Sequence, residues 1–275
     1  MNASARLGFL CLLLSGTIGL FAADQLPPLT RVHAHNDYEH SRPLLDALDH
    51  GFCSIEADIY LVNGRLLVAH DRGKVKPERT LEALYLDPLR ERVKQNCGQV
   101  FPNGPEVTLL IDLKQGWKTI YPMLRSVLTN YADLLTTFRD GVKQTNAVMA
   151  IITGNRDPQM FSGETLRFAG LDGGLSDLEA NPAASLVPWI SADWGSRFRW
   201  RGVGAIPEKE LRQLKAIVAQ AHAQGRRVRF WGAPDNPNFW QVMHVADVDL
   251  VNTDNLAGLE EFFRGLPQTT TGQAR

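Results

Sequence analysis

The sequence predicts a single (β/α)₈ barrel of the TIM type. Short apolar runs alternate with amphipathic helical stretches over most of the chain, which implies parallel strand pairing. Apart from one hairpin return there are eight such runs, and about 230 residues is an ordinary length for a closed barrel. No glycine-rich phosphate loop follows the first run, which sets a doubly wound open sheet behind the barrel.

The elements follow in order. Arg6 precedes the apolar run LGFLCLLLSGTIGLFAA. A short positive start, an apolar stretch and small closing residues read as a signal peptide over 1–23, cut near Ala22 or Ala23. The protein is then expected to be secreted or periplasmic. An uncleaved anchor is the lesser alternative, because Ser15, Gly16, Thr17 and Gly19 interrupt a run already marginal against the ~20 apolar residues of a span. The barrel is expected over 24–267, and the tail QTTTGQAR (268–275) is expected to be disordered.

RVHAHN (31–36) is the first strand, and SRPLLDALDHG (41–51) is a helix with a serine cap and a terminal glycine. SIEADIYL (54–61) alternates with period two. Asn63-Gly64 turns it back into RLLVAHD (65–71). A helical segment follows around 80–95, then the strand VTLLIDLK (107–114) and a long helix over 119–138. AVMAIITGN (147–155), LRFAGLDG (166–173) and VPWISADW (187–194) are three further strands. Pro207 opens and Gly225 closes the best-patterned helix. RVRFWGAP (227–234), the helix NFWQVMHVAD, DLVNTDN (249–255) and the helix LAGLEEFFRG complete the chain.

The formal net charge of -1 gives no basic field for nucleic acid. Cys53 and Cys97 survive signal removal. An oxidising compartment would permit a bridge between them, whereas Cys53 beside an apolar strand also reads as a buried thiol.

Polar residues collect where strands end, which is where a barrel of this type carries its chemistry. Glu56 and Asp58 lie two apart on one strand and share a face. Ile55, Ala57, Ile59 and Leu61 take the other face, toward helices. Two inward carboxylates are costly to bury without compensation. A hard cation such as Mg²⁺ or Ca²⁺ is one remedy; a solvated strand end or an ion pair with Lys114 or Arg229 is the other. Asp112 and Lys114 repeat the spacing on the next strand, as a third ligand beside a cation for an anionic substrate or as an inter-strand salt bridge. His35 and His70 would flank one mouth as an acid/base pair, and His33 would sit deeper as a supporting residue. His33-x-His35 also suggests a metal-dependent amidohydrolase, but the later strands LRFAGLDG and VPWISADW lack the further histidines such a site needs.

The ordered set His35-Asn36, Glu56-x-Asp58, His70-Asp71 and Asp112-x-Lys114 resembles the PLC-like phosphodiesterase superfamily, which includes glycerophosphodiester phosphodiesterases, phosphatidylinositol-specific phospholipases C and sphingomyelinase D-like enzymes. AHNDYEHSRPLLDAL, FWGAPD and VNTDNLAGL look most like a bacterial and fungal phosphodiesterase-like branch. The resemblance implies His35 and His70 as catalytic histidines. It implies Glu56, Asp58 and Asp112 as ligands of Mg²⁺ or Ca²⁺, and Lys114 and Trp231 as substrate-binding residues; Asn36 would bind the substrate phosphate only through a hydrogen bond. Glycerophosphodiesterases usually carry an arginine after the first histidine, where this chain has Asn36.

The expected function is metal-dependent hydrolysis of a small-molecule or lipid phosphodiester, of glycerophosphodiester or phospholipid type. A phosphate- or headgroup-binding protein without turnover is the alternative on the same fold. Trp194, Phe198 and Trp200 read as mouth or packing residues, and the arginines of SRFRWRG (196–202) as a contact for anionic lipid or a solvated loop.

Overall fold

The computed structural model describes residues 27–267. The expected signal peptide and the tail 268–275 lie outside the described residues. No described helix is long and apolar enough to cross a membrane.

Among the described residues, twelve strands occur in chain order. The first six are β1 (Val32–Ala34), β2 (Ser54–Val62), β3 (Arg65–Val68), β4 (Val107–Leu113), β5 (Thr137–Arg139) and β6 (Val142–Gln144). The rest are β7 (Val148–Gly154), β8 (Leu166–Arg167), β9 (Ala169–Gly173), β10 (Trp189–Asp193), β11 (Arg227–Trp231) and β12 (Val251–Thr253). The helices are α1 (Leu45–Asp49), α2 (Asp87–Gln95), α3 (Trp117–Thr129), α4 (Leu175–Ala180), α5 (Trp194–Arg197), α6 (Glu208–Ala223), α7 (Pro237–Val245) and α8 (Leu256–Gly265).

Eight parallel strands run in the order β11-β10-β9-β7-β4-β2-β1-β12. A parallel bridge between Arg229 and Leu250, with Leu250 N–H donating to the Val228 carbonyl at 3.1 Å, joins the two ends and closes the barrel. All eight strands coincide with the runs expected from the sequence, and β3 pairs back on β2 as the hairpin return.

Period two sorts the strand residues as it should. Ile55, Ala57 and Ile59 are fully buried against the helix layer, while Glu56 and Asp58 turn into the barrel. Deep inside, Leu110, Met149, Ile151, Trp189 and Leu250 form a separate apolar cluster with Phe138. Above it the interior is polar: His33, Ser54, Asp172, Ser191, Arg229 and Asn252 are all buried.

Three local expectations are corrected. The helix expected over 119–138 ends at Thr129, and Thr137–Arg139 is β5, paired antiparallel with β6 and β8 in a small second sheet. Asp140 and Gly141 both take positive φ (50° and 82°), the geometry of a two-residue hairpin. The serine cap of the first helix is not used, and α1 is shorter than 41–51. Asp37 accepts the Leu44 N–H at 2.6 Å instead, and Ser41 donates to Asp46. The run 166–173 is divided between β8 in the small sheet and β9 in the barrel.

Candidate active site

One cavity of about 510 Å³ opens at the C-terminal ends of the barrel strands. His35, Asn36, Glu56, Asp58, His70, Asp112, Lys114 and Trp231, the eight residues singled out in the sequence, all line it, and Thr153, Gly154 and Arg229 join them.

The carboxylates are built on neighbouring strands. Asp58 pairs with Asp112 in the β2–β4 register, so the two side chains emerge side by side. Oxygen atoms of Glu56, Asp58 and Asp112 all come within 4.8 Å of one another. Gly154 makes room for the third: it has φ of +75°, and a Cβ there would sit 1.9 Å from Asp112 Oδ1. Glu56 Oε2 and Asp58 Oδ1 are buried and have no hydrogen-bond partner among the described residues. Unpaired buried carboxylate oxygens in a cluster suit a hard divalent cation, which takes oxygen ligands, so these three residues fit such an ion.

Charge partners set the protonation of the cluster. Burial pushes Asp58 up to about 7, aided by the charges of Glu56 and Asp112, while Lys114 and Tyr38 oppose the shift. For Glu56 burial acts upward as well, but Arg229 and the histidines outweigh it and hold the carboxyl well below its usual range. The Lys114 ammonium bridges Asp58 and Asp112 at 2.8 Å each. Burial alone would lower it, yet those two contacts raise it above the ordinary lysine value. Of the alternatives open in the sequence, the ion pairs with Lys114 and Arg229 therefore both occur beside the carboxylate cluster.

His35 Nδ1 lies 2.8 Å from Asp254 Oδ1, and its Nε2 lies 3.8 Å from Glu56. Burial depresses the imidazole pKa, but the bond to Asp254 and the charges of Glu56 and Asp254 leave it raised overall. The Asp254 contact also orients the ring, with Nδ1 toward Asp254 and Nε2 toward Glu56. His70 follows β3, half exposed, with Nδ1 3.4 Å from Asp71. Asn36 adopts the left-handed conformation (φ 49°, ψ 33°) that asparagine tolerates. Its amide donates to Asp254 at 3.2 Å, and the Tyr38 hydroxyl lies 2.6 Å from both Asn36 Oδ1 and Asp58 Oδ2.

His33 is fully buried below this layer. Burial and then Arg229 depress it to about 3, so the ring is neutral. Nε2 accepts from Arg229 at 2.7 Å, and Nδ1 donates to Ser54 at 2.7 Å. Both ring nitrogens are committed, which closes the amidohydrolase-like pairing of His33 with His35. Trp231 stands at the rim, 43% exposed. Trp194, Phe198 and Trp200 are buried instead, Trp194 and Phe198 stacking at 4.1 Å, so they pack rather than line the mouth. Cys53 is a buried thiol, pushed up to about 12 by burial, and Cys97 is an exposed free thiol.

The sequence offered Arg229 only as an ion-pair partner of the carboxylates and gave Asp254 no role beside His35. Arg229 is two residues before Trp231 on β11, so period two already puts both on one face. Asp254 follows β12, the neighbour of β1, and no local pattern announces its partner 219 residues earlier.

A parallel eight-stranded barrel thus gathers three carboxylates, a lysine and two histidines around one C-terminal cavity. Residues 21–169 match the family model for the AIM6-like phosphodiesterase domain, and the chain belongs to that family. It is similar to Altered inheritance of mitochondria protein 6 from Eremothecium gossypii, 28% identical over 283 residues, covering 86% of this chain and 70% of that protein. The Lachancea thermotolerans protein of that name is 31% identical, with 82% of this chain and 64% of that one covered. The Saccharomyces cerevisiae S288c protein is 30% identical, with 82% and 68% covered. Among solved structures, a glycerophosphodiester phosphodiesterase from Agrobacterium tumefaciens aligns with a TM-score of 0.49 at 14% identity, covering 86% of this chain and 96% of that one. The matched span carries both histidines, the three carboxylates and Lys114, whereas Arg229, Trp231 and Asp254 come from strands beyond it.

Proposed function

We propose that the protein is a secreted or periplasmic metal-dependent phosphodiester hydrolase acting on glycerophosphodiester- or phospholipid-type substrates. The observation that carries this reading is convergence. Two histidines on different strands, three clustered carboxylates and a lysine face one cavity, while neighbouring strand residues pack outward.

Glu56, Asp58 and Asp112 would hold Mg²⁺ or Ca²⁺, which when bound supplies Lewis-acid stabilisation of charge on a phosphate oxygen. Lys114 keeps Asp58 and Asp112 together and contributes positive charge beside the phosphate. Asn36 holds Asp254 and offers its amide to the substrate edge. His35, oriented by Asp254, and His70, half exposed at the mouth, divide the proton transfers. One takes the proton of the attacking hydroxyl, and the other returns a proton to the leaving alkoxide. The attacking group is water or a hydroxyl of the substrate; Trp231 at the rim offers an apolar face to the leaving alcohol.

The test is hydrolysis of bis-p-nitrophenyl phosphate, glycerophosphodiesters and lysophospholipids with magnesium or calcium supplied. His35→Ala and His70→Ala are each expected to lose about 10²–10⁴-fold in turnover while melting like the wild type. Chelation by EDTA is expected to abolish activity. Wild-type turnover in either histidine variant, or full activity in chelator, refutes the assignment.

A further inference from the structure

Lys114 is bound on both sides. Its ammonium contacts Asp58 and Asp112 at 2.8 Å each, so its charge is largely answered within the protein. With all three carboxylates ionised, one lysine leaves two negative charges uncompensated. A divalent cation would balance those and leave nothing for a phosphodiester, which is itself an anion. The site needs one more positive charge at the cavity.

Arg229 has the right position and an uncommitted donor. It is 4% exposed yet lines the same cavity as Glu56 and Lys114. Its Nη1 donates to neutral His33 at 2.7 Å and to Asn252 at 3.4 Å, and its Nε donates to Ser191 at 3.3 Å. Those three bonds fix the plane of the guanidinium. Its nearest carboxylate oxygen, Glu56 Oε2, is 3.6 Å away, beyond a hydrogen bond. Asp172 is the other acid facing Arg229 from the neighbouring strands: it accepts from Thr153 at 3.0 Å, and the Arg229 charge opposes the upward push of burial on its carboxyl. Nη2 has no hydrogen-bond partner among the described residues and keeps some access to the cavity. A buried cation with a free N–H at a cavity floor is an anion-binding group.

We propose that Arg229 is a phosphate-binding residue, its free Nη2 donating to an anionic oxygen of the substrate and its charge completing the balance of the cavity. The inference rests on the phosphodiesterase reading for the identity of the substrate, but its test reads phosphate binding without turnover. Asn36 contributes no charge; the guanidinium supplies it from β11, which lies opposite β4 and its Lys114 in the barrel order.

The experiment is calorimetric titration of the full chain with inorganic phosphate in magnesium chloride, beside a titration with magnesium chloride alone. Arg229→Met is expected to weaken phosphate binding roughly tenfold to a hundredfold, the loss of one charge-assisted hydrogen bond, with metal affinity changed less than about threefold. Arg229→Lys keeps the charge without the fork and is expected to fall between wild type and Arg229→Met; it also serves if the methionine variant does not fold. Phosphate affinity unchanged in either variant overturns the proposal, as does equal loss of metal and phosphate binding, which marks a purely structural role. A wild type that binds phosphate through Arg229 but hydrolyses no diester supports this inference and sinks the proposed function; a wild type that binds no phosphate overturns the inference itself.

Discussion

Gly154→Ala tests how tightly the carboxylate cluster is fitted. Gly154 ends β7 with φ of +75°, and the new methyl carbon would lie 1.9 Å from Asp112 Oδ1 and 2.7 Å from the Leu113 carbonyl oxygen. The left-handed conformation costs an alanine about 1–2 kcal/mol. Forcing a methyl group into a filled site costs about 1–3 kcal/mol more. The two together give about 2–5 kcal/mol, and at about 2–4 °C per kcal/mol for a domain of this size the melting temperature should fall by about 4–20 °C. The overlap is with the carboxylate itself, so relief comes by turning Asp112 away from Lys114 and from the other two acids. Thermal melting should therefore be paired with a magnesium or calcium titration. The expected result is a lower melting temperature and a metal affinity reduced by at least about tenfold, since one of three ligands is displaced. A variant that melts within about 2 °C of wild type and binds metal equally well would show that the Asp112 carboxylate is not held where Gly154 admits it.

Two further outcomes follow from the electrostatics. Asp254→Asn removes a contact that raises the His35 pKa, so the limb of the pH–rate profile belonging to His35 should move to lower pH, whichever proton transfer it performs. A limb that stays in place rules out the pairing as its cause. Asp37 is pushed up to about 7 by burial, against the Leu44 and Tyr85 hydrogen bonds that favour its ionised form. A folded-state pKa above the unfolded value means that the folded chain holds the proton more tightly. The stability it contributes is full below the ordinary carboxylate range and is lost as pH rises toward about 7. Asp37→Asn should flatten urea-unfolding stability across that window, and an unchanged slope would count against the buried acid as its source.

The barrel was readable because its strands obey simple periods. SIEADIYL places Glu56 and Asp58 on one face and four apolar residues on the other, and the fold realises both faces, Ile55, Ala57 and Ile59 fully buried and Leu61 partly so. The eight site residues were readable because strand ends are where polar groups escape the core. What stayed hidden depended on contacts between distant strands. The helical spacing of 119–138 concealed a change to strand after Thr129, although Asp140-Gly141 is itself a hairpin signal; the burial of Phe138 against the inner cluster decides it. Arg229 could be paired with Glu56 from charge alone, but its free Nη2 exists only because His33, Ser191 and Asn252, drawn from three other strands, occupy the remaining donors.

The hydrogen bond between His35 and Asp254 ties the first barrel strand to the loop after the last, across 219 residues of chain. A folding intermediate that has assembled β1 through β11 already owns the carboxylates, the lysine and both histidines. It lacks the group that orients His35 and the bridge that seals the ring. The candidate site is thus complete only when the final strand docks, and the His35–Asp254 contact marks the closure of the barrel rather than the growth of its sheet.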